Sequence, residues 1–365
     1  LFGFVATLLI LGLAACGGDG GDGGGGGIPS ATNAAITPPP ATPVAIAPVG
    51  NGGMSTANVT IAANAFQAGG GAVSNATNLA GSVEAGNSGT QTRRETLAAI
   101  VRRHAEKIRD HHIEKLKDPS SVTSAVQVLT EPCTGGGTLT VAVDDATLSS
   151  TQVWVNCNEG GLVAHGTISS SNVQVSAPVL GSTPGSPYTL VVSATTAIDF
   201  SLSTTAPVST FVTQGLFTFT TTFSGTMQTA PGGGVEPGDP TQAVITITGS
   251  NLLTSDGTVR ERLSNNFSIT VDETLASTTT SGHYTYASTI INGSVDVSIT
   301  SPFVTPQGAL HPTSGEITIT GSVGKIVLTV ISSPIVGVRV DVFANAGDVS
   351  PIDSAALTWA AIDSL

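Results

Sequence analysis

Residues 326–343 read IVLTVISSPIVGVRVDVF. Ile326, Leu328 and Val330 alternate with smaller or polar residues, and Val336, Val338, Val340 and Val342 alternate with Gly337, Arg339 and Asp341. A period of two places every second side chain on one face of a pleated strand. The same pattern recurs upstream. Val295, Val297 and Ile299 alternate with Ser and Asp, Ile317 and Ile319 with Thr, and Phe217, Phe219 and Phe223 share one face of FTFTTTF. One apolar face and one Thr/Ser face is the pattern of antiparallel strands that are dry on one side only. The breaks carry turn chemistry: Asn158-Glu159-Gly160-Gly161, Ser255-Asp256-Gly257, Asn292-Gly293 and Ser314-Gly315. About fourteen strands are expected between Thr138 and Trp359, and an open sheet that wide curls, splits or closes. Short connections make the order a meander. The expected class is mainly β: a large antiparallel meander over residues 125–365, forming a curled sheet or half-open barrel.

Composition narrows the class further. The chain has 365 residues, net charge −13, 10% charged and 4% aromatic residues, and 44 Gly. Nucleic-acid binding requires a cationic footprint, which this balance opposes. The 40% apolar content argues against wholesale disorder. Thr and Ser on the wet face replace the charges that normally guard sheet edges, so an exposed edge is open to strand addition.

The chain opens LFGFVATLLILGLAA, Leu1–Ala15, followed by Cys16. This run is apolar, uncharged and shorter than the ~20 residues of a membrane span. It reads as the hydrophobic region of a signal peptide, with the true start expected upstream. Leu13-Ala14-Ala15-Cys16 resembles the lipobox of bacterial lipoproteins. The resemblance implies cleavage before Cys16 and lipid attachment to its sulfur. Gly17 in place of Asp implies the outer membrane. Stable anchoring needs two or more acyl chains, at about 0.8 kcal/mol per buried CH₂.

Residues 16–53 are rich in Gly and Pro and read as a flexible tether carrying the body away from the membrane. Residues 54–91 read as low-complexity and poorly ordered, with a short strand at Asn58–Ala62. Residues 92–118 hold eight of the twelve Lys and Arg. Thr92 and Glu95 form a capping box, and Asp118-Pro119 closes the segment. Leu97, Ile100, Val101, His104, Ile108 and His111 share one face, which predicts an amphipathic helix docked on the acidic β body.

With Cys16 acylated, Cys133 and Cys157 remain. In an exported chain they favour a disulfide, against two buried free thiols or a metal site, for which no CxxC exists. Pro132-Cys133, Asn156-Cys157, Pro312–Gly321 and Leu357–Trp359, set after a helix and among Thr-rich strands, resemble a group of uncharacterised bacterial β-rich outer-membrane lipoproteins. The resemblance spans about residues 98–362 and implies a fold and a location, with no reaction. Members often carry acidic calcium-type loops. Here the first is shortened to Asp144-Asp145-Ala146, and the second retains Asp341, Asn345 and Asp348 with apolar residues between, so no metal is assigned.

No G-x-S-x-G elbow accompanies His165, His283 and His311, no H-E-x-x-H surrounds His104 and His111, and no Gly run ends in G-K-[ST]. No catalytic residue and no cofactor is assigned. Sixteen aromatics are few for the two girdles of a transmembrane barrel. The expectation is a non-enzymatic envelope lipoprotein, held in the bacterial outer membrane through Cys16. Its leading role is a binding module for a lipid-like or apolar ligand on the concave face of the curled sheet. The alternative is a structural or adhesive role, through the Thr/Ser face or an open edge, toward an envelope protein.

Overall fold

A computed structural model describes residues 28–46, 55–68, five positions between 105 and 113, and most of 126–363. Residues 1–15, expected to be a signal peptide, and Cys16, His104 and His111 lie outside the described residues.

The body is one antiparallel sheet that does not close into a barrel. It begins with β1 (Val126–Pro132), β2 (Thr138–Asp144), β3 (Ser150–Glu159), β4 (Leu162–Val175) and the two-residue β5 (Val179–Leu180). The longest strands follow: β6 (Pro187–Thr205), β7 (Val208–Thr229), β8 (Val235–Ser255) and β9 (Arg260–Thr274). Then come β10 (Ser277–Ser288), β11 (Gly293–Pro306), β12 (Ser314–Thr320), β13 (Lys325–Ile331), β14 (Gly337–Phe343) and β15 (Asp353–Thr358). Each strand pairs with its successor, except that β4 pairs directly with β6 and β5 lies beside β6. The fourteen strands expected after Thr138 are β2–β15, and β1 adds one more at the edge.

Register lays the two faces out as rows. On the inner face Tyr284, Val297, Ile319, Ile326 and Val342 stand abreast across β10–β14. Ala194, Phe219, Ile247 and Ile269 do the same across β6–β9. All nine are buried. The outer face carries the row Ser171, Thr195, Thr218, Thr248, Ser268, His283, Ser298 and Thr318. Cross-strand hydroxyl contacts such as Thr246–Thr270, at 3.1 Å, support the pleat there.

Bulges supply the bend. Register shifts interrupt β4–β6, β7–β8, β9–β10, β10–β11 and β11–β12. An extra residue on one strand bends it and increases its twist. Gly315, at φ +137°, lies under the Phe303 ring, where a Cβ would collide with it. Ser314-Gly315 is therefore the start of β12, whereas the sequence reading placed a turn there. A small residue facing an aromatic lets the strand coil tightly while the ring fills the gap.

Two further departures concern the N-terminal third. Residues 56–66 form a helix, α1 (Thr56–Phe66), in place of the short strand expected within a poorly ordered stretch. The Ser55 side chain accepts from the Asn58 N–H at 3.1 Å and starts the helix as an N-cap. Alanines tolerate close packing on the sheet and favour this conformation once it is buried. Residues 28–46 are not free tether. They form an extended strap on the sheet, with Ala31 and Ile46 buried. The described positions of the cationic segment (Ala105, Glu106, Ile108, Arg109 and Ile113) are helical, as expected. A further short helix, α2 (Trp359–Asp363), follows β15.

Candidate functional site

Two features qualify as sites of action: the inner face, which the sequence reading reserved for a ligand, and the edge at β1.

The inner face is occupied by the chain itself. Ile61, Ala62, Ala63, Ala65 and Phe66 of α1, together with Ile46, Ala105 and Ile108, belong to the same buried apolar cluster as the sheet residues. α1 lies against β12, β13 and β14. Its C-terminal end is fixed by specific contacts. The Tyr284 hydroxyl donates to the Ala65 carbonyl at 2.7 Å. Gln67 Nε2 donates to the Ile362 carbonyl of α2 at 3.0 Å. The Phe66 ring meets Phe303 edge-on at 5.1 Å and Trp359 at 5.6 Å. His311 stacks on the far side of this group, 4.7 Å from Trp359. Elsewhere on the inner face the Arg109 guanidinium sits 5.0 Å above the Phe223 ring. The cationic segment thus touches apolar sheet, beyond the acidic contacts its charge suggested.

The strap explains how the chain reaches that face. At its start Asp199 accepts from the Asn33 backbone N–H at 3.0 Å and from Asn33 Nδ2 at 3.2 Å. Gln214 Nε2 also donates to Asp199, at 2.9 Å, while Gln214 Oε1 accepts from the Ile36 N–H at 2.8 Å. Asp199 and Gln214 face each other across β6 and β7 on the outer face, one position out of phase with the inward Ile198. The strap then runs along strand ends. Val44 N–H donates to the Ser294 carbonyl at 2.9 Å and Ile46 N–H to the Val323 carbonyl at 2.8 Å. Ile46 turns inward at the β12–β13 turn, where it has no exposure.

The β1 edge has the opposite character. Cys133 N–H donates to the Gly137 carbonyl at 3.0 Å across the β1–β2 turn. By alternation, residues 131, 129 and 127 direct their backbone groups toward β2. The N–H and C=O of Val126, Val128 and Thr130 therefore point away from the sheet, and among the described residues no strand pairs with them. Pro132, which has no N–H, falls on this same outward set. Val126, Val128 and Leu129 are 55%, 49% and 46% exposed, and among the described residues no other strand carries three exposed large apolar residues. The Cys133–Cys157 disulfide ties the turn after β1 to β3 and holds this edge in place. At the opposite edge β15 is shorter and is followed at once by α2, whose Trp359 and Ile362 are buried.

The remaining candidates do not gather into a site. Asp341 is engaged by Arg339 Nε at 2.8 Å and by the Ser354 hydroxyl at 2.6 Å. Asn345 and Asp348 close on each other, the Asn345 N–H donating to Asp348 at 2.9 Å. Among the described residues no three His, Cys, Asp or Glu side chains are grouped as metal ligands. His165 lies on β4, His283 on β10 and His311 beside α2. No helix among the described residues is long and apolar enough to cross a membrane.

No family model matches the chain, and no curated protein or solved structure compared with it matches either.

Proposed function

We propose that the chain is a non-enzymatic lipoprotein of the bacterial outer membrane, anchored through Cys16, that works by contact at the open edge of its sheet. The observation that carries this reading is the contrast between its two candidate surfaces. The inner apolar face is packed by α1 and Ile46 and by Ala105, Ile108 and Arg109, so an apolar ligand would have to displace the chain's own core there. The β1 edge presents unpaired backbone groups and exposed Val126, Val128 and Leu129, with no Lys or Arg among its residues to repel an added strand. Adhesion through this edge, with the charge-poor hydroxyl face beside it, is favoured over carriage of a lipid-like ligand.

Two experiments test the reading. A photoreactive residue at position 129, activated in intact cells, is expected to yield covalent protein adducts. Absence of adducts there, with adducts at the outer-face position 218, would overturn the edge assignment. The Cys16→Ser variant is expected to leave the membrane fraction, and continued tight attachment would overturn the anchor.

A further inference from the structure

Resting on that edge reading, we propose that the partner at β1 is a second copy of this chain, paired antiparallel to its own β1 about a two-fold axis through Leu129. Three features of the strand select this occupant over an arbitrary peptide. The first is charge. Among its seven residues β1 carries a single ionisable side chain, Glu131, and pairing centred on residue 129 sets Glu131 opposite position 127, a glutamine. Like charges never oppose. The second is the direction of the backbone. The outward groups of Val128 meet those of Thr130 from the second copy, and the Val126 N–H meets the carbonyl of Pro132. The proline that lacks a donor is thus asked only to accept. The two-fold operation forms about six backbone hydrogen bonds. The third is the apolar surface. Register carries Leu129 through Val141, Gln152 and Ile168 to the inward Ile198, so Leu129 lies beside its own symmetry mate on the inner face, and Val128 beside the β-branched Thr130 on the outer face. The three most exposed apolar side chains of the strand are covered together.

Val126, Val128 and Thr130 lie on the outer face in register with Thr140, Ala142 and Val153, which are all buried in the row that leads to Thr167 beside the strap. The buried layer is therefore cut off at β1, and a second copy continues it. Strands of seven residues bury less than a standard interface, so the pairing is weak in dilute solution. Anchoring to one membrane raises the local concentration of copies and favours it.

The test uses the full-length chain. Residue 129 occupies a position where antiparallel neighbours have closely spaced Cα atoms, within reach of a disulfide. Under mild oxidation Leu129→Cys is expected to give a covalent dimer, while Val323→Cys, a similarly exposed position away from both edges, is not. A Val128→Pro substitution in the Leu129→Cys background removes one outward N–H per copy and leaves the bonds to β2 intact. It should slow dimer formation roughly ten- to a hundred-fold. Equal cross-linking at positions 129 and 323, or a rate unaffected by Val128→Pro in a protein whose melting is unchanged, would overturn the self-pairing. Adducts of other proteins at position 129 in cells, without the purified dimer, would overturn the second copy as partner and leave the edge reading standing. No adduct of any kind would overturn both.

Discussion

Replacing Phe66 with alanine probes whether α1 is a fixed part of the core. Phe66 is 7% exposed and is held between Phe303 and Trp359. A phenylalanine side chain buries about 150–250 Å², which at about 25 cal/mol/Å² corresponds to roughly 4–6 kcal/mol in full. Alanine keeps the Cβ, and measured losses for such truncations are about 3–5 kcal/mol, including the cavity left behind. That is a large share of the roughly 5–15 kcal/mol that holds a domain together. Urea unfolding of Phe66→Ala should lower the midpoint with m unchanged. A double-mutant cycle with Trp359→Ala should return a coupling of about 0.5–1.5 kcal/mol from the ring contact. A loss below about 1 kcal/mol is what a surface site would give. It would show that α1 is not packed on the sheet and would return the inner face to the list of ligand sites.

Three further outcomes follow from specific contacts. Asp199→Ala removes the acceptor shared by Asn33 and Gln214. It should cost about 1–3 kcal/mol and open the strap near Asn33 to limited proteolysis, and an unchanged cleavage pattern would count against the clamp. Replacing Cys133 and Cys157 together with serine should cost about 3–4 kcal/mol on the loop-entropy account, measured by thermal unfolding, with hydrogen exchange rising first in β1 and β2. Calcium should leave the melting temperature unmoved, because Asp341 is already engaged by Arg339 and Ser354. A rise of several degrees would contradict the assignment of that acid to a structural contact.

The strands with strict alternation were the most legible part of the chain. Ile326, Leu328, Val338, Val340 and Val342 all point inward with no exposure. The alternation overreached by one residue at Val336, which lies before β14 and is 69% exposed. Asp256-Gly257 separates β8 from β9, and Asn292 lies in the turn that Gly293 leaves as the first residue of β11. Gly315 marks no turn, because glycine serves close approach to Phe303 as readily as it serves a turn. The Cys133–Cys157 bond was legible from the cysteine count once Cys16 was set aside in a chain read as exported. α1 was not. Its sequence, TANVTIAANAF, has little amphipathic pattern, because it is buried on most of its surface and small residues pack without periodicity. The one local signal was Ser55 as an N-cap. The strap was illegible for a related reason: its order comes from Asp199 and Gln214, more than 160 residues away in the chain. The β1 edge was anticipated as a type of surface. Its location was not, because strand order at the sheet margin is a property of tertiary pairing.

If the inner face is filled by the chain's own N-terminal segments and the protein works at its β1 edge, no ligand should travel with the folded chain. Native mass spectrometry of full-length Cys16→Ser protein, purified without detergent, tests it most directly. The account predicts protein mass alone, in monomer–dimer exchange. A stoichiometric non-covalent lipid retained by the folded chain would contradict it.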